Sequence, residues 1–558
     1  VTHQLFERHQ KLLEQALKAI HSRTYWSGYA EIPSGKIYGE SAKAEGQVAF
    51  EARLNKPFPL DQPGTIGQVG AETSPYGMAL GITYPKADLN ALIKAAKTAM
   101  TSWQHAGIEA RVGTCLEILA RLNKRSFEIA NAVMHTTGQA FMMAFQAGGP
   151  HAQDRGLEAV AYAYDEMKRI PETVNWEKPG KAESVVLEKQ YRILPRGVGA
   201  LVGVSTFPTW NSYPAIFADL ATGNAVVVKP HPGAILPLAI TVEVARAVLR
   251  EAGLDPNLIT LAADSVKEPI AKQLVCHPEV RIVDFTGGSA FGEWIEANAR
   301  QAVVFTEKAG INSVILDSVQ DLKPVVRNLA FTLSLYSGQM CTTPQNIFVP
   351  KDGVRTGSER VAASELSKAL TAAVDSLLGE PSRAVEILGA IQSEATLARV
   401  NAAPEQGGKV MLRSKELQHP QFPTARIRTP LIMTVTADQE RVYQQEMFGP
   451  IAYIVTTEST QDSVARATQA AREKGAITCS IYCTDPKLLS SLVEQATEAG
   501  AATSCNLVGD IYVNQSAAFS DYHVSGANPA GNATLTDAAF VTPRFRVTQS
   551  RVPVAAKV

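Results

Sequence analysis

The sequence predicts an α/β protein built on a parallel sheet with helices on both faces. From Gly199 onwards, short apolar runs alternate with stretches of helical length. Those runs are continuously apolar, which marks strands buried on both sides. The 558 residues also exceed one small core, and about three or four domains is the prior for that length.

Taken in order, residues 5–20 place Leu5, Leu12, Leu13, Ala16, Leu17 and Ile20 at helical spacing, so the chain opens on an amphipathic helix. Residues 22–67 lose that period, and glycine, proline and polar residues predict an extended cover over another domain. Helices are expected over 89–104, 107–123, 126–136 and 154–169, with Trp103 as a core anchor. Residues 184–194 alternate from Leu187 and predict a β-ribbon. Such a strand needs a pairing partner, which a second subunit or a surface hairpin could supply. Strands follow at 200–205, 225–229, 258–261, 281–286 and 302–305, with helices at 212–221, 236–252, 268–275 and 291–299. Beyond residue 341, helices are expected at 363–378, 462–473 and 488–499, a strand at 451–455 and a short alternating strand at 545–548.

Composition excludes several classes. A net charge of −1 and no basic block argue against nucleic acid. No run of about 18 apolar residues predicts a membrane span. Residues 1–20 are polar and lack the apolar centre of a signal peptide, so a cytoplasmic protein is expected. Six scattered cysteines show no disulfide framework, and no metal site is expected from them.

Cys341 lies in Tyr336-Ser337-Gly338-Gln339-Met340-Cys341, after a glycine turn and before the apolar run Ile347-Phe348-Val349. It reads either as a nucleophile or as a small buried hydrophobe. Ligands of open parallel sheets bind at the carboxyl ends of strands, and four such ends carry suitable residues. Lys229 can bond a ribose or attract a phosphate. Gly287-Gly288-Ser289 opens a helix, where backbone N–H groups attract anions. Asn211 follows the first strand, and Glu307 follows the fifth at the same rim. Turn chemistry is the competing reading for each of these ends and the favoured one for the glycine pair, as a solvated loop charge is the competing reading for Glu307.

In one order along the chain stand Asn211 after Trp210, Lys229-Pro230, Phe285-Thr286-Gly287-Gly288, Glu307 with Gly310, Gly338-Gln339-Met340-Cys341 and Glu446-Met447-Phe448-Gly449-Pro450. Over about residues 93–514 this set resembles the NAD(P)-dependent aldehyde dehydrogenase superfamily. The long N-terminal lead and Phe519-Ser520-Asp521-Tyr522-His523-Val524-Ser525-Gly526 resemble its PaaN-type branch, linked with phenylacetic acid degradation.

The resemblance implies a Rossmann-type cofactor domain (67–183 and 197–307) and an α/β catalytic domain (308–514). It also implies an N-terminal extension (1–66) and an oligomerisation arm with the C-terminal segment (184–196 and 515–558). Cys341 would attack the aldehyde, and Asn211 with the Cys341 N–H would hold the oxyanion. Glu307 would activate water to give a free acid. Lys229, Gly287, Gly288, Ser289, Glu446 and Phe448, with Ser205, Thr206 and Phe207, would bind the cofactor. A homodimer, or an oligomer built from dimers, is implied. Pro232 stands where relatives carry a ribose-binding glutamate, so NADP is expected over NAD, with some use of both. Gly288 replaces a frequent serine, Lys308-Ala309 replaces Leu-Gly, and the usual glycine-rich C-terminal motif is replaced. The substrate expected is an aromatic-pathway aldehyde or a coenzyme A-linked semialdehyde. Two competing readings are a cofactor-free cysteine hydrolase, which needs a histidine such as His231 or His277 beside Cys341, and a non-catalytic binding protein on the same fold.

Overall fold

A computed structural model describes residues 2–181, 183–308 and 310–554. Ala309, one of the two departures after Glu307, lies outside them, as do Val1 and residues 555–558.

The first sheet has the strand order Ile259–Leu261, Ala225–Lys229, Val198–Val202, Val280–Gly287, Val303–Lys308, all parallel. The three strands from Val198, Ala225 and Ile259 are buried along their whole length, as the continuous apolar runs require. The last strand runs further than expected. Thr286 pairs with Glu307 and Gly287 with Lys308, so Glu307 lies within the strand rather than after it. Asn211, expected just ahead of a helix at 212–221, is instead inside that helix. It occupies the first turn of the helix Pro208–Ala221, which starts early because Pro208 suits a helix's first positions.

The second sheet orders Lys409–Leu412, Leu431–Thr436, Ile451–Thr457, Asn346–Pro350, Ser313–Leu316, Thr478–Tyr482, Ala502–Cys505. Only the Lys409–Leu412 edge is antiparallel. Cys341 precedes the Asn346 strand and Glu446 precedes the Ile451 strand. Because these strands pair in parallel, both residues come to the amino edge of this sheet. Expecting ligand groups only at carboxyl ends therefore describes half of the cleft.

A helical layer packs on the first sheet. Helix Thr2–Ser22 lies so close to Ile108–Lys124 that a Cβ on Gly113 would sit 2.5 Å from the Phe6 nitrogen. Trp103 is buried in Leu89–His105 and donates its indole N–H to the Leu220 carbonyl at 2.9 Å. Residues 22–67 are less extended than expected. Gly35–Tyr38 and Ala42–Glu51 are helical, the latter burying Phe50 against the ring of His135. Its few apolar positions are too short a run to show a period. Phe141–Gly148, Pro381–Leu388 and Glu394–Ala402 are further helices that periodicity did not predict.

The ribbon strand Val185–Pro195 is paired on both edges from within the chain, by Thr173–Lys178 and by Phe545–Pro553. The C-terminal strand extends well past 548, which supplies the pairing without a second subunit. Arg544 anchors this tail. Its buried guanidinium reaches Asp219 at 2.7 Å and Asp284 at 2.6 Å. The segment before it is tied to the N-terminal lead: Trp26 meets Phe519 edge-on at 4.8 Å, and Arg155 donates to Ser516 Oγ at 2.7 Å.

Candidate active site

The loop carrying Cys341 is locally strained and held from several sides. Tyr336 (φ 52°), Ser337 (φ 48°) and Gly338 (φ 63°) are consecutive left-handed residues, a conformation costly for the first two. Tyr336 donates its hydroxyl to the Thr137 carbonyl, and Ser337 Oγ donates to Leu388 and Arg428 carbonyls. A Cβ at Gly338 would stand 2.5 Å from the Gly449 oxygen, so only glycine fits there. Asn312 clamps the loop to the second sheet. Its Nδ2 donates to the Cys341 carbonyl at 2.7 Å and to Thr343, while its Oδ1 accepts from the Ile477 and Thr478 N–H groups.

Three side chains converge on Cys341. Glu307, 6% exposed, accepts from Asn211 Nδ2 through Oε2 at 2.9 Å. Its Oε1 lies 2.9 Å from His523 Nε2, and that same nitrogen is 3.6 Å from Cys341 Sγ. Strand pairing with Thr286 and a bridge to Gly531 fix the backbone of Glu307. Lys308 turns instead to Glu296, 3.0 Å away. The His523 ring is 3% exposed and meets Trp210 edge-on at 4.7 Å. Its Nδ1 is buried and has no hydrogen-bond partner among the described residues.

Burial first, and then the charge of Glu307, push the Cys341 thiol well above its ordinary pKa, so the resting group is the protonated thiol. Glu446 is raised to about 7 by burial, which the Arg399 charge partly offsets.

A cavity of about 240 Å³ opens beside this cluster. Ser205, Thr206, Phe207, Asn211, Gly287, Gly288 and Glu307 line it from the first sheet, and Cys341, Glu446 and Phe448 from the second. Thr206 is fixed by Gln139, which donates to its carbonyl at 2.8 Å. Gln345 joins the two loops of the second sheet: it donates to the carbonyls of Tyr443 and Gln445 and accepts from the Met447 N–H. At Gly288 a Cβ would meet nothing within 4 Å, so open space lies against the amino end of the helix Ser289–Asn298. That geometry suits a phosphate group. Ser289 begins that helix but is not among the cavity's lining residues.

Lys229 does not line the cavity either. It sits buried at its strand's carboxyl end with Nζ 2.8 Å from Asp264 Oδ1. Asp264 was not foreseen. It follows the Ile259–Leu261 strand, and only the pairing of that strand with Ala225–Lys229 brings it to Lys229. His523 was also missed as a site residue, although the departure of its segment from the usual motif marked the region. The two histidines considered beside Cys341 make other contacts: His231 Nδ1 accepts from the Gly233 N–H, and His277 Nε2 faces Asn90. Cys341, Glu307 and His523 also offer ligand atoms within 4.8 Å of one another, a set of thiolate, carboxylate and imidazole of the kind that holds zinc. No such cluster was expected from the sequence, because its members are far apart along the chain.

A model of the aldehyde dehydrogenase family matches residues 82–535. The N-succinylglutamate 5-semialdehyde dehydrogenase of Paraburkholderia xenovorans (strain LB400) is 26% identical over 390 residues, 68% of this chain and 74% of that protein. A crystal structure of an NAD-dependent aldehyde dehydrogenase from Burkholderia multivorans superposes with a TM-score of 0.97 at 55% identity, over 99% of each chain. A Thermus 1-pyrroline-5-carboxylate dehydrogenase with bound NAD shares the fold, with a TM-score of 0.74 at 17% identity over 95% of this chain and 99% of that one.

Proposed function

This chain belongs to the aldehyde dehydrogenase family, and on that premise we propose that it oxidises an aldehyde to the free carboxylic acid through a covalent intermediate on Cys341. The observation that carries the reading is the contact of one thiol, one carboxylate and one amide at the cavity wall. The Cys341 sulfur bonds the carbonyl carbon as its proton leaves to Glu307 and then to solvent. The oxyanion of the resulting thiohemiacetal takes the Asn211 amide. A nicotinamide cofactor, when bound, supplies the hydride acceptor. The thioester left on Cys341 is opened by water, from which Glu307 removes a proton. Gly287 and Gly288 would face the cofactor's phosphates, with Ser289 opening that helix. Lys229 and Glu446 would hold its two riboses, and Ser205, Thr206, Phe207 and Phe448 would line its path.

Pro232 led the sequence to favour NADP. Asp264 now supports NAD instead. A carboxylate beside Lys229 can accept from ribose hydroxyls and repels a 2′-phosphate. The phenylacetate-pathway aldehyde rests on the resemblance of the N-terminal lead and residues 519–526. The relatives named for N-succinylglutamate 5-semialdehyde support an acidic semialdehyde as the other candidate. A homodimer through the ribbon sheet is favoured by the exposed Val547 and Val552 on its outer strand. No described helix is long and apolar enough to cross a membrane, which is compatible with a cytoplasmic setting.

The cofactor-free hydrolase reading gains an imidazole from His523. Yet Nε2 faces both the thiol and the carboxylate while Nδ1 has no partner among the described residues, which is not a relay through the two ring nitrogens. The deciding measurement is cofactor reduction, followed by absorbance, across a panel of aromatic aldehydes and acidic semialdehydes, with NAD and NADP in parallel. Acid formed without cofactor reduction would favour the hydrolase.

A further inference from the structure

Both oxygens of Glu307 are occupied, one by Asn211 and one by His523. These two donors have different fates in the proposed reaction. Once a tetrahedral oxyanion forms, it competes with Oε2 for the Asn211 amide and weakens that bond at the stage when Glu307 must be in place for water. His523 donates to the other oxygen and has no such competing task.

We infer that His523 is a positioning residue for the hydrolytic half of the reaction: its Nε2–H holds Glu307 beside the acylated cysteine while Asn211 shares its amide with the substrate. This rests on the dehydrogenase reading above. The distances favour the carboxylate over the sulfur as the imidazole's partner, 2.9 Å against 3.6 Å. A charge-assisted bond to a carboxylate is also the stronger of the two.

The backbone around His523 carries independent support. Val524, the next residue, is β-branched and buried yet has φ 60°, and Phe519 has φ 66°. Left-handed backbone at such residues is costly and persists where surrounding contacts over-determine it. Those contacts are present. The Leu535 N–H donates to the His523 carbonyl, Val524 packs with Ile477 and Ala530, and Trp210 fixes the ring's plane. The segment is thus held in a strained shape that aims one nitrogen at Glu307.

The experiment compares wild type, His523→Phe and His523→Gln in rapid-mixing assays of cofactor reduction. Phenylalanine keeps the ring against Trp210 but donates nothing. Glutamine places an amide N–H at about the reach of Nε2. In His523→Phe, a burst of about one equivalent of reduced cofactor should form, at the rate of the wild type's first turnover. Steady-state kcat should fall about 10- to 100-fold, and KM for the aldehyde should fall with it, because kcat/KM reports steps up to acylation. His523→Gln should recover most of kcat. An unchanged kcat in His523→Phe overturns the inference. So does a burst that slows along with kcat, since the imidazole would then serve the thiol. Should the phenylalanine variant fail to fold, His523→Asn, too short to reach Glu307, takes its place with the same expected split. A wild type that reduces no cofactor with any aldehyde tested, while iodoacetamide still labels Cys341, counts against the dehydrogenase reading itself.

Discussion

The two sheets meet at one cleft and contribute to it in opposite ways. The first offers its carboxyl ends, with Gly288 beside open space and the Lys229–Asp264 pair beginning two strands further along the order. The second offers its amino edge, where Cys341 sits in a loop of left-handed residues clamped by Asn312. Of the seven non-glycine residues with positive φ among the described residues, Tyr336, Ser337, Phe519 and Val524 flank Cys341 or His523, and none lies at the first sheet's strand ends. A ligand that arrives and leaves needs room and backbone donors. A reacting sulfur needs neighbours held in place, and four of those seven strained positions lie beside it or its imidazole neighbour.

That contrast can be broken from either side, and the reactive side should respond most. Cys341→Ala should lose all aldehyde-dependent cofactor reduction yet still gain thermal stability from the cofactor, about 2.7 kcal/mol at a hundred times its dissociation constant. Turnover in that variant would remove the covalent route. Asn211→Ala should lower kcat by about 10² to 10³, the loss of one oxyanion donor; a change confined to KM would assign the amide to ground-state binding. Asn312→Ala leaves four backbone groups without their partner and should cost about 3 kcal/mol or more in denaturant unfolding, with a weaker kcat. An unaltered midpoint would mean the clamp is dispensable.

On the cofactor side the effects should be smaller and confined to affinity. Asp264→Asn removes a negative charge beside Lys229 and should raise the NADP-to-NAD ratio of kcat/KM about tenfold; a ratio that stays put would place the 2′-hydroxyl elsewhere. Glu446, raised to about 7, is ionised above that pH and able to accept from a hydroxyl. Cofactor affinity should therefore fall as pH drops below about 7, and Glu446→Gln should flatten that dependence. Calorimetric titrations of both proteins at several pH values test the slope.

Much of this arrangement could be read from the chain. The five strands of the first sheet were each found to within a few residues, because a continuous apolar run is a strong local signal. Asn211, Glu307 and Cys341 were placed together on the order of their motifs, and coordinates bring them to one cavity wall. What was missed has no local signal. Asp264 acquires its meaning from Lys229 across a strand pair. His523 acquires its meaning from two residues met only after the tail folds back, and Asn312 by bridging two loops and a strand. The ribbon's pairing was left open between a partner subunit and a hairpin: Thr173–Lys178 supplies the hairpin, and the mate on the other edge, Phe545–Pro553, had no local signal because it lies hundreds of residues later.

His523 is 182 positions downstream of Cys341. On a ribosome the thiol is therefore made long before the imidazole that will face it. Through that interval the growing polypeptide carries a cysteine whose burial and hydrogen-bonded company are incomplete. Competence arrives only once residues 519–535 have been made and dock against Trp26 and Trp210 to seal the cluster.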